Sequence, residues 1–369
     1  MKIKGLLFLI AISFLASCSS DDNYVDLPED PISPVFLDLE LVPYQKLSEY
    51  VFFEGDMKNQ MPVYGVLPYE PISSLFTDYA KKKRFVWMPS DTKATYNGDS
   101  TILDFPVGTV LIKNFYYDNV LPGNTTRILE TRLMIRKEEG WVFGQYKWND
   151  EQTEAELDMN GSFASISWID EFGATQTVSN YRIPSEHECL ICHKTIIPVN
   201  EVVQEIPIPI APKPESLNKI YNYGNESKNQ LAKWIEYGYL DSNIPSNIQA
   251  VIDYSDVSQP LELRVRSYLD VNCAHCHKEN SHCDYRSIRL AFSETSNLQN
   301  IGVCQEPEGT SEDGITHVIA PQNIERSMMY FRMSTNDPAY MMPLVGRSII
   351  HTEGIQLMEE WINSLELCD

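Results

Sequence analysis

From residue 128 to 135 the chain alternates, with Leu129, Thr131, Leu133 and Ile135 as one mostly apolar set and Ile128, Glu130, Arg132 and Met134 as the other. A period of two marks a β-strand lying on a core. Val110-Leu111-Ile112, Phe115-Tyr116-Tyr117 and Trp141 to Trp148 share its aromatic and β-branched character. Asn97-Gly98 and Asn160-Gly161 predict hairpin turns among these runs. Residues 46–183 are therefore expected to form an antiparallel β-rich domain. Within it, Lys81-Lys82-Lys83-Arg84 reads as a solvated helix end.

The period changes after Pro184. Pro198, Pro207, Pro209, Pro212 and Pro214 predict an extended connector, since such a run suits neither helix nor central strand. Leu231, Trp234 and Ile235 fall at helical spacing, as do Leu261, Val265, Tyr268 and Leu269. A terminal helix is expected to start at a Thr352 cap and to bury Ile355, Met358, Trp361, Ile362 and Leu365. The fold class is thus α+β and multidomain: the β-rich domain, a joining segment over 184–250, and a helical domain over 251–369.

The N-terminus reads as an address. Lys2 and Lys4 precede an apolar stretch from Gly5 to Phe14, and Leu15-Ala16-Ser17 stands before Cys18. That is a signal peptide over residues 1–17, too short to span a bilayer. Residues 18–45, with Ser19-Ser20-Asp21-Asp22 and Pro28, Pro31 and Pro34, read as a tether. Leu15 to Cys18 resembles the lipobox of bacterial lipoproteins. The resemblance implies acylation of Cys18 and anchoring to the outer membrane, on its periplasmic or its outer side.

Charge narrows the partners. With 29 Lys and Arg against 52 Asp and Glu, the net charge is −23. This argues against nucleic acid, which needs a basic face, and suits docking of protein partners with basic faces.

The chemistry lies in the cysteines. Cys189-Leu190-Ile191-Cys192-His193 and Cys273-Ala274-His275-Cys276-His277 are both C-x-x-C-H, the attachment signature of c-type haem. Two thiols three residues apart on a helical turn reach the two vinyl groups on one porphyrin edge, and the next histidine meets the iron from one face. At this composition one such motif arises by chance about 0.003 times per chain. Two covalently attached c-type haems are therefore expected. The competing reading is one zinc site built from both cysteine pairs.

Met341-Met342-Pro343, ahead of the terminal helix, completes a pattern that resembles class I cytochrome c: helix, C-x-x-C-H, Met-Pro loop, helix. The resemblance implies a cytochrome c-like domain in which His277 and Met342 ligate iron, with Met341 as the second choice. The first motif lacks such a partner in sequence; His187, Lys213 or a methionine of the β-rich region remain open, as does a five-coordinate iron. Phe105-Pro106-Val107-Gly108-Thr109, running on to Lys113 and Tyr117, resembles a strand of the cytochrome c′-β group, a β-rich fold with C-x-x-C-H near its C-terminal end. Lys113 itself reads as a surface strand residue. Most of the chain, including Glu130-Thr131-Arg132-Leu133 and Trp148-Asn149, is similar to a family of exported dihaem c-type cytochromes. That resemblance implies electron transfer between redox partners. The alternatives are a dihaem oxidoreductase, acting as a peroxidase or on small nitrogen compounds, and a gas-binding sensor.

Three cysteines remain. A Cys283–Cys304 disulfide is the first expectation in an oxidising compartment, with Cys368 free to pair with either instead. His275 is expected to face solvent. His282, His317 and His351 receive no catalytic role.

Overall fold

In the computed structural model, which describes residues 31–199, 202–309 and 313–368, the β-branched and aromatic runs pair into one eight-stranded antiparallel sheet. Its strands are β1 (Leu67–Tyr69), β2 (Lys81–Trp87), β3 (Val110–Val120), β4 (Thr125–Lys137), β5 (Gly140–Trp148), β6 (Ala155–Leu157), β7 (Ser162–Ile169) and β8 (Thr175–Ile183). Strands β1 to β6 lie side by side in chain order; β7 joins the far end of β3 at Val120 and Trp168, and β8 pairs with β7. Seven α-helices accompany the sheet among the described residues, so the α+β class holds: α1 (Glu186–Cys192), α2 (Pro214–Leu217), α3 (Gln230–Glu236), α4 (Leu261–Asn272), α5 (Leu298–Ile301), α6 (Met328–Ser334) and α7 (Thr352–Ser364). Cys18 and the signal peptide lie outside the described residues.

Both faces of the central strands are covered by packed side chains. On one face Phe85, Trp87, Ile112, Leu133 and Ile135 pack with Val42, Tyr44, Leu47, Tyr50 and Phe52. On the other, Val86, Leu111, Met134 and Phe143 pack with Leu217, Leu231 and Trp234. A third core joins α4 to α7 through Val265, Leu269, Leu357, Met358 and Trp361. The expected tether is shortened accordingly. Val42 and Tyr44 are buried, and the Trp87 Nε1–H donates to Ser33 Oγ at 3.0 Å, so the chain joins the folded body from Ser33.

Other expectations are corrected. Lys81–Arg84 belongs to β2, where pairing with β3 turns Arg84 inward. Pro198 and Pro207 sit in a two-stranded hairpin of β9 (Lys194–Val199) and β10 (Val202–Pro207), whose strands each keep an unpaired edge that tolerates proline. The bridge between Thr95 and Asp104 closes a loop wider than a two-residue turn around Asn97-Gly98. Asn160-Gly161 is not a hairpin turn either: β6 pairs with β5, and β7 with β3 and β8.

Gly161 has another reason to be glycine. Its φ is +75°, and a Cβ there would lie 2.6 Å from the Ser185 backbone nitrogen and 2.8 Å from the Ile183 carbonyl oxygen. The crossing to β7 thus packs directly beneath the entry to α1. Gly161→Ala is expected to cost about 1–3 kcal/mol, read as a lower denaturant midpoint at unchanged slope. An unchanged midpoint would mean that this approach is not tight.

Candidate functional site

The first motif is set by a helix of two turns. Ser185 caps α1: its Oγ accepts the Glu188 N–H at 3.4 Å, while the Ser185 N–H donates to Glu188 Oε2 at 2.7 Å. Arg182 clasps the same carboxylate at 2.6 Å. Cys189 and Cys192 lie on the last turn. The His193 N–H ends the helix on the Cys189 carbonyl at 2.9 Å. The imidazole Nδ1 is 3.2 Å from the Ile208 carbonyl, in the stretch that follows β10. Donation from Nδ1 leaves Nε2 as the lone-pair nitrogen, the arrangement a metal-ligating histidine needs. The Phe143 ring meets the imidazole edge-on at 5.9 Å. Cys189, Cys192 and His193 line a cavity of about 140 Å³, with Arg84, Lys113, Arg132 and Met134 on its sheet wall. Lys113 is therefore not a surface strand residue.

The second motif is the C-terminal end of α4. The Cys273 N–H donates to the Leu269 carbonyl at 2.9 Å, and the His277 N–H to the Cys273 carbonyl at 3.0 Å. Cys273, Cys276 and His277 line a cavity of about 300 Å³, and Met342 lies on its lining. Met341 is buried and absent from that lining. Met342 is held at both ends of its peptide unit: its N–H donates to the Arg332 carbonyl at 2.9 Å, and its carbonyl accepts Arg347 Nε at 3.0 Å. Arg347 is 6% exposed and also donates to the Thr335 carbonyl and to Asn336 Oδ1, both at 2.7 Å. Met328, Met329 and Met333 share the cavity. His277 Nδ1 is buried with no hydrogen-bond partner.

The two motifs meet. Cys276 Sγ lies 3.4 Å from the Ile191 carbonyl, and the ligand atoms of Cys192, His275 and Cys276 lie within 4.8 Å of one another. Phe76, Cys192, Asn272, His275 and Pro343 line both cavities. His275 is 8% exposed and part of this shared wall, not solvent-facing. The zinc reading gains three close ligand atoms here, but takes one thiol from each pair and His275 in place of two C-x-x-C pairs.

Burial pushes His193 and His277 down to about 4, so both are neutral imidazoles at neutral pH. It raises Cys189 to about 11 and Cys273 to about 12. Between the other two thiols, the hydrogen bond from Cys276 holds Cys192 low and raises Cys276.

The remaining candidates fall elsewhere. His187 is exposed on α1 and lines neither cavity. Lys213 pairs with Asp270 at 2.7 Å. His351, given no role from sequence, lines the larger cavity, stacked on Phe76 at 4.1 Å with its Nδ1 3.1 Å from the Tyr268 hydroxyl. The Cys283–Cys304 expectation is overturned: Cys304 is bonded to Cys368, with a Cα separation of 5.8 Å, and Cys283 is a buried free thiol. The Cys283 N–H donates to the Cys276 carbonyl at 3.0 Å, which draws Cys283 into the cavity lining. Cys304 meets the tail that leaves α7 instead.

Removing the disulfide with Cys304→Ala is expected to cost about 2–4 kcal/mol, and non-reducing peptide mapping should recover Cys304 joined to Cys368. Arg347→Met strands several buried carbonyls at roughly 1–3 kcal/mol each, so its thermal midpoint should fall clearly below that of an exposed Arg→Met control; equal midpoints would remove Arg347 as the clamp of the Met342 loop. Comparison with protein-family models, with curated proteins and with solved structures returns no match.

Proposed function

We propose that this protein is a dihaem c-type cytochrome that moves electrons between protein redox partners, anchored to the outer membrane through an acylated Cys18. One observation carries the reading. Each C-x-x-C-H motif faces a cavity with both thiols and the adjacent histidine, and the two cavities share a wall. The residues fit the group in their chemistry: thiols free to form thioethers, neutral imidazoles, and at His193 an Nδ1 already engaged by a backbone carbonyl.

Cys189 and Cys192 would hold one haem with His193, and Cys273 and Cys276 the other with His277 and Met342. A haem so bound supplies a reversible one-electron change at iron, and methionine as the sixth ligand raises its potential while closing the open position. The protein's part is to hold the ligands and exclude water. Arg332 and Arg347 fix the peptide of Met342, and the neighbouring methionines and Ile355 make that cavity apolar. The shared wall of Phe76, His275 and Pro343 sets the spacing between the two centres. The packing of α4 on α7, with the Met342 loop between them in sequence, supports a class I cytochrome c-like arrangement over residues 251–369. The net charge of −23 suits basic docking partners.

An oxidoreductase or gas-binding role needs an open iron position at the first motif. Met134 is the thioether on the lining of that cavity and favours the carrier. Pyridine-haemochrome analysis should return two c-type haems per chain, and the reduced spectrum should not change with CO. One CO-binding haem would instead select the oxidoreductase or sensor, and bound zinc without haem would overturn the reading. Met342→Ala should open the second iron and turn one haem high-spin; an unchanged spectrum would reassign the ligand.

A further inference from the structure

The sheet wall of the smaller cavity carries a row of cations. Arg84 on β2, Lys113 on β3 and Arg132 on β4 are directly opposite one another in register, so all three project from the same face. Like charges opposite one another across strands destabilise a sheet, and burial raises the cost by weakening the screening. The nearby carboxylates are committed: Glu130 holds Arg132 at 2.6 Å, Glu188 holds Arg182 at 2.6 Å, and Glu70, the carboxylate that acts on Arg84, holds Lys219 at 2.8 Å. Arg84 is 8% exposed, and its side chain has no hydrogen bond or ion pair among the described residues. Lys113 has only the Phe115 ring, 4.8 Å from Nζ, whose ring also lies 4.2 Å from the Arg132 guanidinium. Arg84 and Lys113 therefore stand without an ion-pair partner on the wall of the cavity that Cys189, Cys192 and His193 also line. Burial and the neighbouring guanidinium groups push Lys113 well below the usual lysine range, a push that an anion in the cavity would reverse.

We propose that Arg84 and Lys113 form a carboxylate site of matching charge, which takes the two propionates of the haem held by Cys189 and Cys192. The inference rests on the dihaem reading. It adds two residues of the β-sheet, far from the motif in sequence, to the binding of that haem. The shared chemistry is that of any small oxyanion, and a free oxyanion is the other source the site would accept. The two charges of one haem's propionates match the two unpaired cations.

The test uses the full-length holoprotein. Haem content and both reduction midpoints are measured for the wild type, for Arg84→Gln/Lys113→Gln, and for the charge-keeping Arg84→Lys/Lys113→Arg. Both variants should keep two haems. In the neutral variant one couple should become harder to reduce by at least about tenfold in its equilibrium constant, because nearby positive charge favours the reduced iron. That couple should be the one Met342→Ala leaves unaltered. The charge-keeping variant should match the wild type in both couples. Unchanged midpoints in the neutral variant would overturn the proposal while leaving the haem count, and so the dihaem reading, intact. Inorganic phosphate, titrated into the wild type at constant ionic strength, should leave both midpoints where they are. A phosphate-dependent shift that the neutral variant loses would give the site to a free oxyanion and overturn the propionate assignment. Absence of haem from the wild type would end the dihaem reading itself.

Discussion

Four hydrogen bonds to one buried carboxylate hold the sheet and, through it, the first motif. Glu130 is fully buried. It accepts Arg132 Nε at 2.9 Å and Nη2 at 2.6 Å, Gln145 Nε2 at 2.5 Å and the Tyr181 hydroxyl at 2.7 Å. A buried carboxylate is tolerated only when it is paired and its lone pairs are filled, so these donors have little freedom to leave. They come from β4, β5 and β8. Because β8 runs straight into Pro184 and the Ser185 cap, fixing Tyr181 fixes where α1 begins. One turn later stand Cys189 and Cys192. The same carboxylate aims Arg132 along the cavity wall, so one charge pair orients both the sheet side and the helix side of that cavity.

The second motif depends on the reverse arrangement, a buried cation surrounded by neutral oxygens. Arg347 gathers the carbonyls of Met342 and Thr335, and Asp78 accepts the Ser348 and Ile349 N–H groups at 2.7 and 3.1 Å. Asp78 lies just before β2. The loop that carries Met342 is thus held by its own arginine on one side and by the β-rich region on the other. A C-terminal segment that stood alone would lack the second anchor. Here the β-rich region and the C-terminal segment belong to one contact unit, from Ser33 onward.

Much of this was legible in the chain, and the failures share a cause. The alternation around Glu130, the helices at Trp234, Tyr268 and Trp361 and both C-x-x-C-H motifs are local patterns, and local patterns survive in sequence. Lys81 to Arg84 looked solvated because a charge run usually is. Only the pairing of β2 with β3, which sets Arg84 opposite Lys113, turns Arg84 inward. His275 looked exposed because nothing in C-A-H-C-H shows that another motif packs on it. The proline-rich stretch reads as an extended connector, yet Pro198 and Pro207 lie in the β9–β10 hairpin and Pro214 opens α2. Its use was hidden: the Ile208 carbonyl, which the chain reaches after β10, fixes the ring of His193. Cys304 and Cys283 could not be told apart without knowing which one the Cys276 carbonyl draws inward.

The contact between the motifs has one further consequence. Cys276 reaches the Ile191 carbonyl through its S–H, and a cysteine converted to a thioether has no S–H to give. Attachment of haem would therefore remove the thiol contacts that now join the two motifs. Other bonds between the motifs do not depend on the thiols. Three residues beyond each motif's histidine, the Ile196 N–H donates to the Asn280 carbonyl at 2.7 Å. Ahead of the second motif, Asp270 accepts both Lys213 Nζ at 2.7 Å and the Phe292 N–H at 3.1 Å. These bonds involve no atom that haem attachment consumes. The two motifs are thus also held near one another by a backbone bond and a part-buried ion pair that do not depend on the thiols.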